Sequence, residues 1–299
     1  MLGDEPFLQA IRADPADEAP WLTYADWLEE RGDPRAALYR HRRLTNSIGI
    51  QLVLVPRGTF WMGRPSRETQ IEKCSAVPFT QAEIPHDFYI GAFPITQEQW
   101  QTVMGNNPSW FSRSGGGADA VEGISDADLQ QFPVESVSWE DVQEFLKRLN
   151  AREKDGGFLY RLPNQAEWEY SCRGGAFSQE ECGFDFYFSR PTNDLSSEQA
   201  NFNGNFPAGN APKGKYLGRT SQVGSYQPNR LGIHDLHGNV WEWCADHIEG
   251  DWWGSGHVAR GGGWSGYAAN CRASYRFGSE PADRRDWLGF RLVAVPSGE

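Results

Sequence analysis

Leu231-Gly-Ile-His-Asp-Leu-His-Gly-Asn-Val-Trp-Glu-Trp-Cys-Ala-Asp246 is the stretch on which the reading of the fold turns. Glycines, tryptophans and oxygen-bearing side chains are mixed there too closely for an amphipathic helix or a regular strand. The stretch therefore predicts tight turns held by ring packing and polar anchors. Two segments nearer the C-terminus answer it, Arg260-Gly-Gly-Gly-Trp264 and Leu288-Gly-Phe-Arg-Leu-Val293. Such a pattern marks a scaffold before it marks a catalytic centre.

Upstream, Tyr160-Arg-Leu-Pro-Asn-Gln-Ala-Glu-Trp-Glu-Tyr170 places Asn164 as a helix cap with Glu167 three residues on, a capping box for a helix ending near Cys172 and Gly174. Glu167 is thereby spent on the backbone. Glu169, two residues on, faces another way, so the two acids do not make an acid–base pair. Thr96 caps a helix through Met104, and Ser138 caps another from about Glu140 to Arg152, with Val142, Phe145, Leu146 and Leu149 on one face. Gln51 to Gly63 reads as a hairpin turning at Pro56-Arg-Gly58, and Ile84 to Thr96 contains a further strand. Ser112 to Ala118 is a surface loop whose Gly115 to Gly117 lack the strand-to-helix setting of a phosphate cradle. Residues 174 to 230, rich in Gly, Asn, Ser and Pro, predict long ordered loops.

The expected class is α+β, irregular and loop-rich. Residues 1–44 form a small helical module, 45–50 a linker and 51–299 the main domain. In the module, Phe7, Leu8 and Ile11, then Trp21, Leu22, Ala25 and Leu28, then Ala36, Leu38 and Tyr39 recur at helical spacing. Asp26, Trp27, Glu29, Glu30 and Arg31 form a solvated face there, or a docking face if the chain is an adaptor. A net charge of -12 over 299 residues argues against a nucleic-acid partner. No run of signal-peptide or membrane-spanning character is visible, so a cytoplasmic protein away from membranes is expected. The five cysteines, an odd number in a large domain, predict reduced thiols, with room for one pair.

HGNVWEW, RGG-W and LGFRLV, preceded by LPNQAEWEY, occur in an order that resembles the formylglycine-generating enzyme, or sulfatase-modifying factor, family over roughly residues 50 to 295. The resemblance implies a variant of the C-type lectin fold. The helical module, for its part, resembles one found beside repeat domains in planctomycete-type bacterial proteins. The family resemblance also implies calcium held by Asp235 and Glu242 with the carbonyls of Gly238 and Val240, since two carboxylates about a glycine turn suit a hard cation. A second calcium site is implied at Asn201 and Phe202, although its downstream acid position falls near Lys215.

In the oxidase members of that family, two cysteines five positions apart take Cu(I). Here only Cys271 is kept, with Gly266 at the other position and Gly263 in place of a serine. One thiolate does not make a two-thiolate site, which argues against copper. No His-x-x-x-His-x-Glu pattern supports iron. Cys271 is a catalytic candidate only if the chain is an oxidoreductase; otherwise Cys244 and Cys271 are structural thiols or a disulfide. His234, His237 and His247 read as structural. What remains is recognition of a protein or other ligand, as in diversified receptors of the family, through Trp264, Ser265, Tyr267, Asn270, Asp286 and Trp287. Tyr267 and Trp287 are expected to be exposed; Trp264 and Phe277 are expected in the core.

Overall fold

The computed structural model describes residues 3–65, 79–251 and 254–297. Cys74 lies outside them. Three helices open the chain, α1 (Glu5–Ala13), α2 (Ala19–Glu29) and α3 (Ala36–Arg40). The next strand, β1 (Arg43–Thr45), pairs antiparallel with β2 (Gln51–Val55). The expected linker is therefore the end of a strand and the turn that reverses it. Leu52 to Val55 are buried in succession, and a strand covered on both faces takes a partner along each edge. Accordingly β2 also pairs with β5 (Phe88–Gly91), while β3 (Gly58–Met62) pairs with β4 (Thr80–Ile84). The hairpin expected across Pro56-Arg-Gly58 is a crossing between two sheets instead.

The order continues with α4 (Gln97–Met104), α5 (Asp126–Gln130), α6 (Trp139–Arg152), β6 (Phe158–Arg161), α7 (Gln165–Cys172), β7 (Phe186–Tyr187) and β8 (Pro191–Thr192). The C-terminal third adds β9 (Trp241–Asp251), β10 (Gly254–Arg260), β11 (Arg276–Ser279), β12 (Leu288–Gly289) and β13 (Val293–Pro296). Thr96, Ser138 and Asn164 each close a capping box, with Gln99, Asp141 and Glu167. Each box satisfies helix N–H groups that would otherwise lack partners. One sheet runs β1-β2-β5-β13-β6 and a second β11-β10-β9-β12.

Leu231 to Asp246 divides in two. Gly232, Asp235, Gly238 and Asn239 all have positive φ, so the first half is a chain of tight turns. From Trp241 onward it is the long strand β9, between β10 and β12. Two buried carboxylates then tie the four motifs together. Glu169 of α7 takes Arg173 Nη2 at 2.6 Å and Arg260 Nη2 at 2.5 Å. Glu242 of β9 takes Arg291 through Nε and Nη2, both at 2.6 Å, and the Trp168 indole N–H at 2.6 Å. Charge-assisted, forked bonds of this kind offset the cost of burying ions.

The helices pack onto the first sheet. Leu8, Ile11, Trp21, Tyr24, Leu28 and Tyr39 share one core with Leu52, Leu54, Tyr89 and Ile90. At the seam the Tyr39 hydroxyl and the Arg57 backbone N–H both donate to Asp87 Oδ1 at 2.8 Å. The Tyr89 hydroxyl reaches back to the carbonyl of His41 at 2.8 Å.

Candidate functional site

A strip of rings is displayed where the long loops meet the C-terminal segment. Tyr267 is 51% exposed, Phe206 47%, Trp110 46% and Tyr216 40%. Backbone pairing fixes this array. Asn203 N–H donates to Gly266 O at 2.9 Å, and Ala268 N–H donates to Phe206 O at 3.1 Å. Phe206 and Tyr267 are thus held with ring centroids 4.2 Å apart. Further along, Tyr216 lies near-parallel to Trp264 at 6.0 Å, and Trp264 meets Phe111 edge-on at 5.2 Å. Trp264 is anchored by its indole N–H, which donates to Asp286 O at 2.9 Å. It is half-buried rather than a core residue.

The Gly115–Gly117 run is not a loose insertion. It wraps Trp110, and a Cβ on Gly116 would stand 2.3 Å from that ring, so only glycine lets the backbone approach so closely. Among the ligand-binding candidates, Asn270 accepts the Tyr267 N–H at 3.0 Å and so shapes the turn beneath the ring. Ser265 is half-buried beside it. Trp287, expected to be exposed, is half-buried because it is wedged against Trp241 and Phe277 at 6.4 and 6.0 Å. Phe277 is itself only partly buried.

Two acids lie under the strip. Glu135 is fully buried, and it accepts the Phe111 N–H at 2.9 Å and the Ser136 hydroxyl at 2.7 Å. Burial pushes its pKa up to about 7 against those hydrogen bonds, and the nearby Asp286 adds to the rise. Asp286 is half-buried and is likewise shifted upward by burial. Sequence reasoning missed Trp110, Phe206, Tyr216 and Glu135. The first three sit in loops without periodicity; an aromatic beside a glycine run, as in Trp110 before Gly115, was the available signal.

The thiols are withdrawn. Cys172, Cys182, Cys244 and Cys271 are all free and buried, so the pair considered for Cys244 and Cys271 does not form. Cys271 Sγ faces the Tyr267 carbonyl at 3.6 Å, and burial holds its pKa well above the usual thiol value. Gly262 passes so close that a Cβ would stand 2.6 Å from that sulfur. His237 Nδ1 is 2.7 Å from the Cys271 carbonyl, and its Nε2 accepts the Tyr187 N–H at 2.9 Å. Burial lowers the His237 pKa to about 4, so it is a neutral packing residue.

Among the proposed cation ligands, Asp235 accepts the Gly224 N–H at 2.7 Å, and burial raises its pKa to about 6. Glu242, expected to face calcium, has three donors on its two oxygens from Arg291 and Trp168. Asn201 differs. Its Nδ2 donates to Arg219 O, while its Oδ1 is buried without a hydrogen-bond partner. Its backbone carbonyl accepts the Asn239 N–H at 2.8 Å, which brings the segments around Asn201 and Asn239 side by side.

Two main sheets of five and four strands, two short two-stranded ones and long ordered loops define a loop-rich C-type lectin-like fold of the formylglycine-generating type. Residues 42–295 match the family described as sulfatase-modifying factor enzyme 1-like domain, and the chain belongs to that family. It is 29% identical over 274 residues to a protein of Paenibacillus barcinonensis named chaperone protein LppX, covering 77% of this chain and 84% of that relative. It is 33% identical over 178 residues to the inactive C-alpha-formylglycine-generating enzyme 2 of Bos taurus, covering 56% of this chain and 53% of the relative. The structure of PvdO from Pseudomonas aeruginosa superposes with a TM-score of 0.62 at 23% identity, covering 84% of this chain and 97% of that one.

Proposed function

We propose that this protein is a non-catalytic binding member of its family, recognising a protein partner through the ring strip from Trp110 to Tyr267. The observation that carries the reading is the exposure of Phe206, Tyr216 and Tyr267 on backbone-paired loops while Cys271 is buried with Gly266 at the first of the two cysteine positions. Rigid, displayed aromatics give large contact area at low entropic cost. A buried, protonated lone thiol is a poor ligand for a soft metal. Two relatives bear names in keeping with this, one an inactive enzyme and the other a chaperone.

Calcium, in this reading, orders the loops behind the strip. The unpartnered Asn201 Oδ1 and the neighbouring Phe202 carbonyl would hold it, because a buried amide oxygen without a donor suits a hard cation. Calorimetric titration should show calcium binding that Asn201→Ala removes.

The decisive comparison is between the wild type and a Phe206→Ala, Tyr267→Ala double variant, with captured partners identified by mass spectrometry. A partner retained by the wild type and lost by the variant is expected. Equal retention, or copper-dependent oxygen uptake with a cysteine-containing peptide, would refute the reading.

A further inference from the structure

The hairpin of β9 and β10 carries two imidazoles on one face. His247 and His257 are direct cross-strand partners in the antiparallel register, and their rings stand edge to face with centroids 5.5 Å apart. His257 is fixed from two sides. Trp139 of α6 stacks flat on it at 3.8 Å, and that indole is itself anchored by its N–H, which donates to Cys244 O at 3.1 Å. The His257 Nδ1 lies 3.3 Å from the Asp246 carbonyl, a contact that places the ring proton on Nδ1 and leaves a lone pair on Nε2. Among the described residues no hydrogen bond engages that Nε2 or the ring of His247, which is exposed. The Asp246 carboxylate is already spent on the Gln165 N–H at 2.6 Å.

We propose that His247 and His257 form a binding site for a divalent late first-row transition ion such as Zn2+, Ni2+ or Cu2+, each imidazole giving one nitrogen and water filling the remaining positions. A metal–nitrogen bond of about 2.0–2.1 Å, extended by about 1.1 Å from nitrogen to ring centre, sets two imidazoles on a tetrahedral ion with centroids roughly 5 Å apart. The observed 5.5 Å reaches that value by a small turn of the exposed His247 ring. Donation of the other ring nitrogen to a carbonyl, as His257 makes to Asp246, is what orients metal-bound histidines and raises their basicity. Stacking on Trp139 covers a face of the His257 ring and not the edge that carries the lone pair. The hairpin also bears Asp246, Glu249 and Asp251, with no lysine or arginine between Glu242 and Ala259, so its local field favours a cation. Imidazole nitrogen selects these ions over calcium, which takes oxygen. The site is therefore distinct from the oxygen donors around Asn201 and independent of the recognition reading above. A bound ion clips β9 to β10 beside the irregularity between His257 and Ala259.

The test titrates the untagged full chain with Ni2+ and Zn2+ by calorimetry in calcium-containing buffer at about pH 7.5, where imidazole is mostly neutral. One ion per chain should bind. His247→Gln, at an exposed position that the fold does not need, should weaken binding at least tenfold, and His257→Gln should do the same. His86→Gln, which removes another exposed histidine, should leave it unchanged. The electron paramagnetic resonance spectrum of the Cu2+ form should show coupling to two imidazole nitrogens in the wild type and to one in His247→Gln. Saturating Zn2+ should raise the melting temperature of the wild type and not that of His247→Gln. Absence of binding, unchanged affinity in either hairpin variant, coupling to a single nitrogen in the wild type, or displacement of the ion by calcium would overturn the inference.

Discussion

Glu169 and Glu242 lie where the motifs meet, each bonded to a guanidinium, whereas Glu135 is held by neutral donors and Asp286 feels Arg285 only through space. Both pairs are wholly or partly withdrawn from water, yet only the first is bonded to cations of the chain. Charges placed for architecture come with their counter-charges and full sets of donors, because an unpaired buried ion costs several kcal/mol. Acids without such bonds keep their protons to higher pH instead, and burial raises both Glu135 and Asp286. The contrast separates the acids that join the four motifs from those that lie near the exposed rings.

The sharpest way to break the comparison is to remove a cation from the scaffold. Arg291→Met should leave Glu242 buried and uncompensated, lowering stability by about 3–5 kcal/mol in denaturant titration. A loss below about 1 kcal/mol would mean that the buried ion pairs are not what joins the motifs.

Next in size is the pH response of Glu135. Its folded pKa of about 7 stands above its ordinary 4.5, so the folded state holds the proton more tightly than the unfolded state. The associated stability is fully present below pH 4.5 and is lost as pH rises through about 7, a change of roughly 3 kcal/mol. Glu135→Gln should flatten that slope when melting is followed from pH 4.5 to 8; an unchanged slope would show that the acid is not desolvated as described.

Smaller again, Gly262→Ala places a Cβ against Cys271 at a positive φ. It should cost about 2 kcal/mol through strain and overpacking. The smallest stability effect belongs to the strip itself. Tyr216→Ala should change stability by no more than about 0.5 kcal/mol, since an exposed ring holds little of the fold. A larger loss would move Tyr216 from the recognition side of the comparison to the structural side.

The family and fold class were legible because four motifs carry the residues that the fold must bury together, and Thr96, Ser138 and Asn164 announce helix starts by local chemistry alone. Strand pairing was less legible. The Pro56-Arg-Gly58 turn looks the same whether its strands pair with each other or with others, and only the double-sided burial of β2 decides. The strip was read in part. Tyr267 stood out beside a small-residue turn, but Phe206 and Tyr216 come from a loop region whose geometry is set by long-range backbone pairing. Glu242 illustrates the opposite limit: its spacing from Asp235 suggests a cation site, while the arginine that occupies it arrives from 49 residues further along the chain.

The seam between the opening helices and the first sheet bears on how the molecule comes apart. Because Tyr39, Asp87, Arg57 and Tyr89 interlock across it, and Trp21 and Tyr24 lie in the same core as Leu54, the helices are not an appendage that can be shed. Heating should give a single calorimetric transition with no separate early melt. A chain cut in the 46–49 turn should keep its two pieces associated and melt in one step at a lower, concentration-dependent temperature, behaving in solution as a two-part molecule that elutes as one.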